Sequence, residues 1–257
     1  AQLERPLDFA SLTDHASYQG EVALCTVPSS PLFEAKGCKI YRGEMKPDDP
    51  VLRGFAARMS AIASSLDAKN EIPSRNTALC GDDGETCKES MASVWRQQQA
   101  AADRHYDRSA ACTFTTFNGY EYTATPGLSK VHHNVIFRND KVPAAPIAWV
   151  DYPDVYDFWG LLKGQCLEAG EGCDVLTLPH NSNLSNGRMF VVGGKDLPLE
   201  EQRERARLRA ELEPGLSSPV VRGREGAVDA LLQRGHAPLV RAPSRNRSVH
   251  GPREMRG

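Results

Sequence analysis

Asp174-Val175-Leu176-Thr177-Leu178-Pro179-His180-Asn181 is an apolar, β-branched run that stops at a proline and delivers a histidine into a polar loop. A short run of this kind, closed by turn-forming residues, reads as a buried strand. Three other segments share the pattern. Leu7 to Leu12 ends in Thr13-Asp14-His15. Cys112 to Phe117 runs through Asn118-Gly119 into Tyr120-Glu121-Tyr122-Thr123. Val131 to Arg138 contains His132-His133-Asn134 followed by Val135-Ile136-Phe137. Each strand therefore carries an imidazole or carboxylate near one of its ends.

Helical stretches lie between the strands. Asp48-Asp49-Pro50 is a cap and first-turn proline signal for a helix to about Asp67. Glu89 to Arg108 is a long helical segment containing Trp95. Pro153 to Leu167 places Val155, Phe158, Trp159 and Leu162 at helical spacing. Glu200 to Leu212 allows Glu201 and Arg205 to pair across one turn. Asn70 to Cys87 reads as a long polar loop. Strands alternating with helices predict an α/β fold whose strands are mainly parallel, with helices outside.

The seven cysteines fall as Cys25/Cys38, Cys80/Cys87 and Cys166/Cys173, with Cys112 left over. Three close pairs suit disulfides of an oxidising compartment, periplasmic or extracellular; reduced cytosolic thiols are the alternative. Cys112, before an apolar strand, is expected to be buried. A formal net charge of -2 gives no basic field to attract nucleic acid. No run of about 18 apolar residues suits a membrane span. From Gly215 to Gly257 there is no Phe, Tyr, Trp or Lys but much Arg, Gly and Pro. This tail, residues 214–257, is expected to be disordered or an out-of-frame translation; the other reading is an Arg-rich nucleic-acid arm.

Imidazoles and carboxylates brought together from several strand ends form the ligand set of a divalent metal, which lowers the pKa of a bound water towards neutrality. His15, Glu121, His132 and His180 are the candidate metal ligands, and Asp14, His15, Glu121 and His180 the candidate catalytic groups. Glu121 stands between two tyrosines in a strand, where a buried carboxylate needs a partner. His132 and His133 are adjacent, so a strand turns them to opposite faces and at most one reaches the site. Taken singly each has a plainer role: His15 capping a turn, Asp14 capping a helix. His105, near the end of a helix, suits its dipole. His236 and His250 fall in the tail. Arg138, Arg188, Asn181 and Asn183 are candidate contacts to an anionic substrate, although Asn186-Gly187 also marks an ordinary turn.

The stretches RPLDFASLTDHASYQGEVALC, FTTFNGYEYT, HHNVIFRN and DVLTLPHNSNLSNGRMF, in order over roughly residues 3–213, resemble the family known as domain of unknown function 3604. That family is a relative of the polymerase-and-histidinol-phosphatase (PHP) hydrolases. The resemblance implies a distorted β/α barrel over residues 1–213, two or three metal ions (Zn, Mn or Fe) at its rim, and phosphate or sulfate ester hydrolysis of a small anionic substrate. His15, Glu121, His132 and His180 match its ligand positions, with Asp14 orienting His15. It also implies a His-x-His strand before Leu3 and an Asp-x-His strand after Pro214, neither of which the sequence contains. The barrel is accordingly expected to be incomplete and the chain a fragment. The competing reading is a non-catalytic, disulfide-stapled binding or structural domain with a vestigial site.

Overall fold

The computed structural model describes residues 5–63, 73–190 and 198–213. It is a mixed α/β structure built on two small sheets. β1 (Phe9–Ser11) pairs in parallel with β2 (Thr115–Phe117). β3 (Gly119–Ala124), β4 (Val131–Phe137) and β5 (Val175–Pro179) form a sheet in the order β3-β4-β5, antiparallel throughout. The chain beyond β1 continues beside β3: the Glu121 amide donates to the Asp14 carbonyl, the Ala16 amide to the Glu121 carbonyl, and His15 bridges Glu121 in parallel.

The expected mainly parallel order is corrected here. β3 and β4 are joined by the short connection Thr125–Lys130, whereas a parallel crossover needs about a dozen residues or more. Among the described residues, parallel pairing is confined to β1 with β2 and to the His15–Glu121 bridge beyond β1. Among the described residues the strands close no barrel.

Gly119 is required where three strands approach. A Cβ there would lie 2.6 Å from Ser11 Oγ and 2.8 Å from the Val135 carbonyl oxygen, so any side chain would force β1 or β4 away.

Seven helices are described. α1 (Gln19–Thr26), α2 (Lys36–Arg42) and α3 (Gly54–Ile62) precede the short α4 (Thr77–Cys80) and the 21-residue α5 (Glu85–His105). α6 (Val155–Leu162) continues through a wider turn to Leu167, and α7 (Leu199–Leu212) follows β5. α5 carries Glu85 in its first turn and Arg104 and His105 in its last, the charge order its dipole favours. Asp154 caps α6 by accepting from the Tyr156 amide. The Glu201–Arg205 pair forms at 3.0 Å.

α3 begins later than the Asp48-Asp49-Pro50 signal suggests. Asp49 instead accepts from the Val51 amide in a turn, and Asp48 pairs with Lys36. The segment read as a loop from Asn70 contains α4, capped by Asn76. Residues 64–72 and the tail 214–257, on which other expectations fell, lie outside the described residues.

Two cores result. One face of β3 and β4 presents Tyr120, Tyr122, Val135 and Phe137 to Trp95, Phe158, Trp159 and Leu162 of α5 and α6. Tyr122 and Phe158 stack with centroids 4.0 Å apart. Trp95 satisfies its indole N–H on the Pro143 carbonyl. The second core lies among α1 to α5 and contains Leu24, Ile62, Leu79 and the disulfides Cys25–Cys38 and Cys80–Cys87. Cys166–Cys173 ties the end of α6 to the approach to β5. All three expected pairs form. Cys112, expected to be buried, is exposed: it sits in a turn at φ 43°, and its strand starts only at Thr115.

Candidate metal centre

The pleat separates the two adjacent histidines of β4. Thr123 faces His132 across the β3–β4 ladder, and Tyr122 faces His133. Opposed residues share a face, so Glu121, Thr123 and His132 lie on the side away from the aromatic core. His133 packs instead into that core against Tyr122 and Trp159, with Nε2 3.0 Å from the buried Glu213 carboxylate that Arg209 also holds. The His180 amide donates to the His132 carbonyl, extending the ladder one residue past β5.

Glu121, 4% exposed, is the hub of the resulting row. Its Oε1 lies 3.0 Å from His132 Nδ1 and 3.7 Å from His15 Nε2, and its Oε2 lies 4.0 Å from His180 Nε2. The His132 ring stands 5.7 Å from that of His15 and 6.0 Å from that of His180. His132 is buried, while His15 and His180 are exposed. Burial alone would push the Glu121 carboxyl up. The hydrogen bond and charge of His132, the charge of His15 and the Thr123 hydroxyl outweigh it and hold the carboxyl below its ordinary value.

Three imidazoles and a carboxylate, reached from the open side through His15 and His180, are donor types that divalent ions take, although no three of their ligand atoms all lie within 4.8 Å of one another. With the His132 proton on Nδ1, facing Glu121, its Nε2 keeps a lone pair for the Thr125 hydroxyl at 3.3 Å or for a metal. A tighter group, Glu21, Cys80 and Cys87, has ligand atoms all within 4.8 Å of one another among the described residues. It offers no thiolate, because the two sulfurs are bonded to each other.

The other expected site residues are placed differently. The Asp14 carboxylate accepts from Gln98 Nε2 at 3.3 Å, and its backbone carbonyl fixes β3. Asn181 Oδ1 lies 3.1 Å from His180 Nδ1, so its amide side chain orients that ring. Asn183 and Arg188 occupy exposed positions in the turns after β5. Arg138 follows the far end of β4 from His132 and pairs with Asp174 at 3.3 Å, outside the histidine row.

Thr123, Thr125 and Gln98 were not among the sequence candidates. Thr123 was legible, since it follows Glu121 by two in a strand and so shares its face. Gln98 comes from the middle of α5, and no local pattern links it to Asp14.

No curated protein and no solved structure matches the chain. Residues 1–234 match the family described as "Protein of unknown function (DUF3604)". With most of its length inside that match, the chain belongs to the DUF3604 family.

Proposed function

We propose that this protein is a metal-dependent hydrolase of phosphate or sulfate esters, with His15, Glu121, His132 and His180 holding the metal. The observation that carries the reading is the buried Glu121 carboxyl within 3.0 to 4.0 Å of three imidazoles supplied by separate strands or their extensions. A bound divalent ion supplies Lewis acidity and an acidified water. The chain's own residues do the rest. Glu121 fixes the His132 tautomer, Thr123 fixes Glu121, and Asn181 fixes the His180 ring. The partner is a small anionic ester. The kinship to PHP hydrolases and their barrel remains part of this proposal.

Three disulfides support a periplasmic or extracellular location. No described helix is long and apolar enough to cross a membrane. The openness of the row, with His15 and His180 exposed, favours a second reading: a disulfide-stapled binding domain that keeps a metal without turning over esters.

Elemental analysis of the purified protein beside Glu121→Gln and His180→Ala, followed by ester assays, tests both. Zn, Mn or Fe retained by the wild type, lost in both variants and accompanied by ester hydrolysis supports the enzyme. Metal retained without hydrolysis supports the binding domain. Equal metal content in all three proteins removes the site.

A further inference from the structure

The histidine row opens onto a cavity of about 1330 Å³. Ordinary small-ligand pockets occupy roughly 300–1,000 Å³, so the space far exceeds a phosphoryl or sulfuryl group. His15, His132, Thr123 and Thr125 line it, and the reacting centre and the cavity therefore share a wall. Lys130 lines it too, two residues before His132.

The wall formed by α1 and α3 differs in chemistry, while α5 adds the polar Ser90, Ser93 and Gln97 and the carboxylate of Glu89, and Asp14 lies beside His15. α1 and its C-cap supply Val22, Ala23 and Val27, and α3 supplies Phe55, Met59 and Ile62. Neither helix contributes a charged side chain to the lining. Phe55 is 77% exposed and Val27 46%, although both border the cavity. Large apolar side chains left open beside a cluster of anion-compatible groups suit a ligand with one charged end and one apolar end.

We propose that the ester cleaved here carries an aryl or alkyl group, which packs against α1 and α3 while its anionic head lies at His15 and His132 beside Lys130. This rests on the hydrolase reading above and names its substrate class. In the reaction, water oxygen bonds to phosphorus (or sulfur) and the bond to the ester oxygen breaks. One water proton passes to the departing oxygen. The products are the aryl or alkyl alcohol and the inorganic oxyanion.

Two measurements on the full chain test it. The first is calorimetric binding of 1-naphthylphosphonate, which carries no ester bond, against inorganic phosphate. The second is steady-state hydrolysis of 1-naphthyl phosphate against glycerol phosphate. Both are repeated on Phe55→Asp and Val27→Asp, whose exposed positions leave the fold intact, as circular dichroism would check. The expected result is tighter binding of the naphthyl compound than of phosphate. Each variant should weaken naphthyl binding, and raise KM for the naphthyl ester, by about tenfold, the factor that goes with losing one apolar contact surface. Inorganic phosphate and glycerol phosphate should be unaffected. Equal binding of naphthylphosphonate and phosphate, or variants that change nothing, would overturn the proposal. Naphthyl binding that depends on Phe55 without hydrolysis of either ester would sink the hydrolase reading and keep the apolar site. Hydrolysis of both esters with equal KM, indifferent to Phe55, would do the reverse.

Discussion

The His180 amide donates to the His132 carbonyl at 2.9 Å, so the residue that leaves β5 is still held in register with β4. A loop histidine thereby acquires the precision of a strand residue, and its ring lands on the same face as His132 and Glu121.

The same pleat separates the fates of two adjacent substitutions. His132→Ala should abolish metal retention and also cost about 1–3 kcal/mol, because it takes the nearest partner from the buried Glu121 carboxylate. His133→Ala should keep the metal and cost about 3 kcal/mol, since it leaves the buried Glu213 with one partner fewer and opens space in the aromatic core. Metal analysis and urea denaturation of both variants check this. The reverse pattern would mean that the register of β4 is wrong.

Gly119 links packing to the site. Gly119→Ala should cost about 1–3 kcal/mol and also weaken metal binding, because β1 must move and carries His15 with it. A variant that loses stability but binds metal as tightly as the wild type would show that His15 is not held through β1.

Glu21 should give stability an unusual pH dependence. Arg75 grips Asp151 with two N–H groups and Glu21 with one, and the other Glu21 oxygen is buried without a partner. Burial therefore outweighs the attraction of Arg75 and raises the Glu21 carboxyl. A raised folded-state pKa stabilises below the unfolded value of 4.5, and that contribution is lost as pH rises through the folded value. Glu21→Gln cannot ionise. Its melting temperature relative to wild type should improve between pH 4 and pH 7; a difference that is flat or falls over that range would refute the assignment.

Two of the three disulfides staple the helical layer. Cys25–Cys38 joins α1 to α2, and Cys80–Cys87 joins α4 to α5. Replacing either pair by serine should cost about 2–4 kcal/mol, read from denaturation midpoints. No change in midpoint would show that the helices hold these positions unaided.

Much of this was legible in the sequence. β-branched and aromatic runs marked the strands of the antiparallel sheet, and the imidazoles at their ends pointed to one another. Strand direction was not legible from periodicity; it follows from the short Thr125–Lys130 connection. α1 and α2 escaped notice because their burial comes from the Cys25–Cys38 bridge and from close approach to other helices, not from an apolar stripe. At Gly20, for instance, a Cβ would lie within contact of the Cys87 carbonyl group on α5. Arg138 looked like an anion clamp only because sequence nearness to His132 ignores the length of a strand.

The parallel course of the chain beyond β1 beside β3 bears on how the molecule assembles. β3, β4 and their turn are neighbours in the chain and can pair early, whereas Ser17, two residues after His15, meets Thr123 across 106 residues. Such a contact forms only after a long loop has closed, which makes it slow and late. The first imidazole of the row therefore arrives last, and the chemistry of the site becomes a report on the completion of folding.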